Sequence, residues 1–72
     1  MTEYEEKKAF VSNYLSPLLR AAGVNIAKAE YTKSNKTSEE TVTIFYLNGF
    51  KRTVCVTADS LIALTADTLK EL

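Results

Sequence analysis

Two runs of β-branched and aromatic residues, Thr41-Val-Thr-Ile-Phe-Tyr-Leu47 and Phe50-Lys-Arg-Thr-Val-Cys-Val56, meet at Asn48-Gly49. Such a chain has one local solution, a β-hairpin turning at the Asn-Gly pair. A two-residue turn would put Val42, Ile44 and Tyr46 on the face of Lys51, Thr53 and Cys55. A type I turn followed by a glycine bulge at Gly49 moves the register by one and gathers Val42, Ile44, Tyr46, Phe50, Val54 and Val56 on one face. A sheet covered on one side needs one apolar face, so the bulged hairpin is predicted. Thr43, Phe45, Lys51, Thr53 and Cys55 then point outward.

The preceding segment, Asn25 to Lys33, alternates small or apolar with charged residues in the period of a half-exposed strand, with Ala27, Ala29 and Tyr31 expected inward and Ile26 outward. Ser34 to Glu39 is polar turn material joining it to the hairpin.

Helices flank this meander. Thr2 and Glu5 have the spacing of a capping box, and Tyr4, Val11, Tyr14, Leu15, Leu18 and Ala22 share one face of a helix running from residue 3 to Ala22. Lys7 lies inside that stripe, its stem expected on the core and its amine in water. Gly23 is expected to end the helix in the left-handed conformation, with Val24 touching Leu19. Pro17 lacks the N–H that would bond the Asn13 carbonyl, which predicts a bend, or else a break with Ser16 capping a second helix. The last segment reads as a helix starting at Thr57 or Asp59, with Leu61, Ile62, Thr65, Leu69 and Leu72 on its buried side. Its two halves echo each other, Thr57-Ala-Asp-Ser-Leu followed by Thr65-Ala-Asp-Thr-Leu, which reads as amphipathic helix with the option of a break at Thr65. The expected fold is one α+β domain over residues 1–72, αβββα, with both helices on one face of a three-stranded antiparallel meander.

Composition narrows the function. Nine basic residues balance nine acidic ones, so no overall field draws in nucleic acid, an anionic membrane or an acidic substrate. The chain has no histidine and one cysteine, which excludes the usual zinc sets, an intramolecular disulfide and histidine-activated nucleophiles. A reducing, cytoplasmic setting is the expectation. No apolar run approaches the roughly 20 residues of a membrane span, and the acidic Met1-Thr-Glu-Tyr-Glu-Glu start is unlike a signal peptide. Cys55 reads as a sheet residue, Glu3, Glu5 and Glu6 as complements to a helix N-terminus, and Glu39 and Glu40 as a solvated loop end. Gly23 and Gly49 are the only glycines, too few for a phosphate cradle. No cofactor, metal or catalytic residue is predicted, and the chain is not expected to be an enzyme.

The order helix, three strands, helix resembles that of double-stranded-RNA-binding domains, and Lys28, Lys33, Lys36, Lys51 and Arg52 fall in the sheet half of the chain. The resemblance stops at topology. The basic run that opens the last helix in that family would fall on Asp59-Ser60-Leu61-Ile62-Ala63, which holds neither Lys nor Arg, and the hairpin carrying glycine and histidine would fall on Ser34 to Glu40, which has neither. The leading expectation is therefore a non-enzymatic interaction module that binds a protein partner, or itself as a homodimer, through the open sheet face. Ile26, Thr43, Phe45, Thr53 and Cys55 are its expected surface. Weak nucleic-acid binding through the five basic residues is the alternative.

Overall fold

The computed structural model describes residues 2–23 and 25–71. Helix α1 (Glu3–Phe10) passes through a wide π turn (Val11–Leu15) into α2 (Ser16–Ala22). Strands β1 (Ile26–Lys33), β2 (Glu40–Tyr46) and β3 (Lys51–Cys55) follow, then α3 (Leu61–Lys70). The strands form an antiparallel sheet in the order β1-β2-β3, with the helices on one face, so the class is α+β as expected.

Thr2 caps α1, its hydroxyl oxygen accepting the Glu5 N–H at 3.2 Å. The Glu5 carboxylate accepts from that hydroxyl instead of reaching the Thr2 N–H. Pro17 brings neither a simple bend nor a break. The backbone stays helical through Phe10, Val11, Leu15 and Ser16, while the Ser16 N–H reaches back five residues to the Val11 carbonyl. One widened turn accommodates the proline ring and adds a residue to the helical repeat.

That extra residue decides which side chains are buried. Lys7, Val11, Leu15 and Leu19 are spaced by four and would drift by about 120° along a regular helix; the added residue turns the later ones back by about 100°. All four are buried, with Ser16 beside them. Tyr14 and Leu18, expected inward, are rotated out and exposed. Ser16 caps nothing; its hydroxyl oxygen accepts the Ala29 N–H at 3.0 Å on the outer edge of β1.

Gly23 is extended (φ −105°, ψ 153°), not left-handed, and the positive φ falls on Asn25 (67°), a residue that tolerates it. The expected contact of Val24 lies outside the described residues.

The hairpin has the predicted register, Val42 opposite Val54 and Ile44 opposite Arg52, with Gly49 at φ 93°. Val42, Ile44, Val54 and Val56 are buried as expected, whereas Phe50 is 72% exposed at the hairpin tip. In β1 a bulge between Ile26 and Lys28 corrects the predicted phase: Ile26 joins Ala29 and Tyr31 in the core, and Ala27 is only partly buried.

Helix α3 is capped by Ser60, one residue beyond Asp59 and three beyond Thr57, with the Ser60 hydroxyl oxygen accepting the Ala63 N–H at 3.2 Å, and it runs unbroken through Thr65. Thr57 does not cap because its hydroxyl oxygen takes the Glu40 N–H at 3.1 Å. The buried side carries Leu64 and Thr68, whose hydroxyl donates to the Leu64 carbonyl. The predicted stripe is thus turned by roughly a quarter of the helix: Ile62 is 84% exposed, Leu69 is exposed, and Leu72 lies outside the described residues.

Candidate interaction surfaces

The outer face of the sheet is a grid of three rows fixed by the pairing. Lys28, Phe45 and Lys51 form one row, Glu30, Thr43 and Thr53 the next, and Thr32, Thr41 and Cys55 the third. Of the residues expected to make this face apolar, Ile26 has left for the core, displaced by the β1 bulge. Phe45 is half-buried, with the Lys28 ammonium 5.1 Å from its ring centre, a cation–π contact. Thr43 is half-buried, Thr53 and Cys55 are exposed, and the Cys55 sulfur lies 3.4 Å from the Thr57 hydroxyl. The face is therefore more polar than expected, with Phe45 its one large apolar side chain.

The basic residues do not converge as a binding stripe. Lys28 pairs with Glu30 at 2.9 Å. Arg52 belongs to the inner face by register, and its guanidinium donates to the Glu71 carbonyl at 2.6 Å, just beyond the end of α3. There it satisfies a free carbonyl and complements the negative end of the helix dipole. Lys33, Lys36 and Lys51 are exposed.

A buried polar cluster occupies the end of the molecule where α1 and α3 begin. The Lys7 ammonium lies 2.6 Å from the Glu40 carboxylate and 3.1 Å from Glu3. The Tyr31 hydroxyl donates to the same Glu40 oxygen, and the Ala58 N–H donates to the other at 2.8 Å. Lys7 is 3% and Glu40 7% exposed, which corrects both expectations: the lysine amine meets a carboxylate instead of water, and Glu40 is no solvated loop end, unlike the exposed Glu39. Burial alone would raise the Glu40 carboxyl, but the bonds from Lys7, Tyr31 and Ala58 outweigh it and hold it at about 2. Burial would likewise lower Lys7, yet Glu40 and Glu3 carry it above its ordinary value. Burial raises Tyr31, and its bond to Glu40 raises it further. Each group is thus held in one protonation state around neutral pH.

The third surface lies between the first helix and α3. Phe10, on the flank of the first helix, faces Leu61, Ile62, Thr65 and Ala66 of α3 across an open trough of about 530 Å³. Tyr14 stacks beside Phe10 with ring centres 5.8 Å apart, and the exposed Leu18 follows one turn on in the same row. On α3, Ile62, Ala66 and Leu69 continue the opposite wall at i, i+4 and i+7. Not one of these side chains is charged. Ile62, Leu69, Tyr14 and Leu18 are side chains that the sequence pattern placed in the core; on α3 their place is taken by Leu64 and Thr68, with Leu61 half-buried between the core and the trough.

Among the described residues, no group of three metal-ligating side chains converges and no helix is long and apolar enough to cross a membrane. No family model, curated protein or solved structure matches the chain.

Proposed function

We propose that this domain acts by docking another protein chain, not by catalysis, and that it docks through the trough between α1 and α3. The observation that carries this reading is Ile62, a large β-branched side chain left 84% exposed beside an uncharged apolar groove. Leaving such a residue in water forgoes about 1.5–3 kcal/mol of burial, which a bound partner recovers. Amphipathic helices are the usual occupants of grooves of this kind. The free, exposed Cys55 suits a reducing, cytoplasmic setting.

Catalysis is disfavoured by the cluster that most resembles an active site. General acid–base work needs a group titrating near the working pH, and Lys7, Glu40 and Tyr31 are each held well away from it. Docking through the sheet face is a second reading, favoured by Phe45 alone. Nucleic-acid binding is a weaker one, since Lys28 and Arg52 already have partners within the chain.

Photo-crosslinking in cells separates these surfaces. A benzophenone side chain at Ile62 is expected to give protein adducts, and the same probe at Thr53 on the sheet face is not. Adducts at Thr53 alone would move the docking site to the sheet. Adducts at neither position would refute protein docking through either face.

A further inference from the structure

We propose that Asn48, at the tip of the hairpin, is a site of self-modification, where the Gly49 nitrogen closes on the side-chain amide and the asparagine becomes aspartate or isoaspartate. The reaction is an acyl transfer within the chain. The Gly49 N–H gives its proton to solvent, the nitrogen bonds to the Asn48 Cγ, and the side-chain nitrogen takes a proton from water and leaves as ammonia. A five-membered cyclic imide results. Water then adds to one imide carbonyl and breaks that carbonyl's bond to the ring nitrogen. Opening at Cγ gives aspartate on an ordinary backbone; opening at the backbone carbonyl gives isoaspartate, with the chain running through the side chain. Water is the only co-reactant.

Sequence and geometry both single out this residue. The chain has four asparagines, and Asn13, Asn25 and Asn35 precede Tyr14, Ile26 and Lys36, whose side chains crowd the attacking nitrogen. Only Asn48 precedes a glycine, which has no Cβ, and even the space that a Cβ would fill is open. The Asn48 Oδ1 accepts the Phe50 N–H at 3.1 Å. This Asx turn folds the side-chain amide back along the peptide whose nitrogen must attack it. Negative charge builds on the same Oδ1 as the new bond forms, so the Phe50 N–H stands where an oxyanion donor is needed.

One bond opposes the attack. The Gly49 N–H donates to the Tyr46 carbonyl at 3.1 Å and must be released before the nitrogen can react. It lies at the exposed tip, between Leu47 and Phe50, which are 70% and 72% exposed, so local fraying frees it without unfolding the sheet. Either product places a carboxylate at the tip. Isoaspartate also lengthens the main chain inside the turn whose bulge at Gly49 sets Val42 opposite Val54, so the modified hairpin is loosened.

Ageing of the whole chain at mildly alkaline pH, followed by tryptic mapping, tests this. The fragment 37–51 contains Asn48 and no other side-chain amide. It is expected to convert to a mixture of isoaspartate and aspartate, at a rate within about tenfold of that for the same chain unfolded in urea. Asn13, Asn25 and Asn35 should stay intact over the same period. A folded chain whose Asn48 persists while the unfolded chain converts overturns the proposal, since the turn would then be protective. Aspartate without isoaspartate also overturns it, because direct hydrolysis by water yields aspartate alone.

Discussion

The Lys7 ammonium and the Glu40 carboxylate meet at 2.6 Å across thirty-three positions of sequence, and both are removed from water. Glu40 also receives Tyr31 of β1 and Ala58 of the turn before α3. One carboxylate therefore ties α1, β1, β2 and the start of α3 together. A buried pair adds little against an apolar substitute, but breaking it strands a charge. Glu40→Gln, which keeps the shape and removes the charge, should cost about 3 kcal/mol. Lys7→Met should cost less, about 2 kcal/mol, because Tyr31 and Ala58 still serve the carboxylate. Urea unfolding of the double variant should show a loss smaller than the sum by about 1 kcal/mol or more; additive costs would mean that the two ions do not act as a pair.

Stability should be flat around neutrality and fall at both ends. Glu40 is held at about 2 against an ordinary 4.5, so its contribution is full above about 4.5 and is lost as pH falls toward 2. Tyr31 and Lys7 are raised from 10.0 and 10.5, so theirs are full below those values and are lost as pH rises through the raised ones. Urea midpoints measured every half pH unit should trace this plateau. In Glu40→Gln the acid limb should be shallower, and an unchanged limb would assign acid unfolding to other carboxylates.

Asp59 works in the opposite sense. Its bond with Asp67, followed by burial, raises its carboxyl above the ordinary 3.8, and its Oδ2 is buried without a donor. A raised acid contributes stability at low pH that is lost as pH rises through its folded value. In Asp59→Asn the side-chain amide can donate to the neighbouring Asp67 carboxylate, and the repulsion between the two acids is removed. It should raise the neutral-pH melting temperature by several degrees, about 0.5–1 kcal/mol, with the gain vanishing at acid pH. A neutral-pH loss would show that the charge of Asp59 is needed by the turn.

The hairpin was legible because its apolar alternation and its Asn-Gly turn agree on one register, and both are local. What the sequence hid was set from a distance. The echoed pentapeptides make the point: Thr57-Ala-Asp-Ser-Leu forms a turn with Ala58 at φ 63°, while Thr65-Ala-Asp-Thr-Leu is continuous helix. Glu40 decides between them by binding Thr57 and the Ala58 N–H, and nothing within either pentapeptide reports that. The phase of the first helix was hidden likewise, because one wide turn replaced Tyr14 and Leu18 with Leu19 and Ser16 on the buried side. Of the candidate sheet-face surface, Phe45, Thr43, Thr53 and Cys55 were placed correctly by pairing parity, and Ile26 was lost to a bulge that alternation cannot announce.

The two glycines should fail for different reasons. Gly49 has φ 93° and open space around it, so Gly49→Val should cost more than about 1 kcal/mol through backbone strain that no neighbouring substitution relieves. Gly23 has an ordinary φ, but a Cβ there would lie 2.3 Å from the Ile26 Cδ1. Gly23→Ala should therefore be partly rescued by Ile26→Val, which removes that atom. Thermal melts of the four single and double forms check this, and independence of the Gly23 and Ile26 effects would rule out the packing explanation.

Ser16 offers the sharpest test of why the π turn exists. Its hydroxyl oxygen takes the Ala29 N–H on the edge of β1, a buried donor that points away from β2 and would otherwise have no acceptor. An α-helical continuation would rotate Ser16 by about 100° and break that bond. The turn is thus held by a contact between helix and strand, while Pro17 only tolerates it. Ser16→Ala should cost about 1–3 kcal/mol and speed hydrogen exchange at the Ala29 amide at least tenfold. Pro17→Ala restores an N–H without touching the contact, so Ala29 should keep its protection and the Ser16 N–H its bond to Val11. If Pro17→Ala exposes the Ala29 amide and Ser16→Ala does not, the proline sets the register and the serine merely follows it.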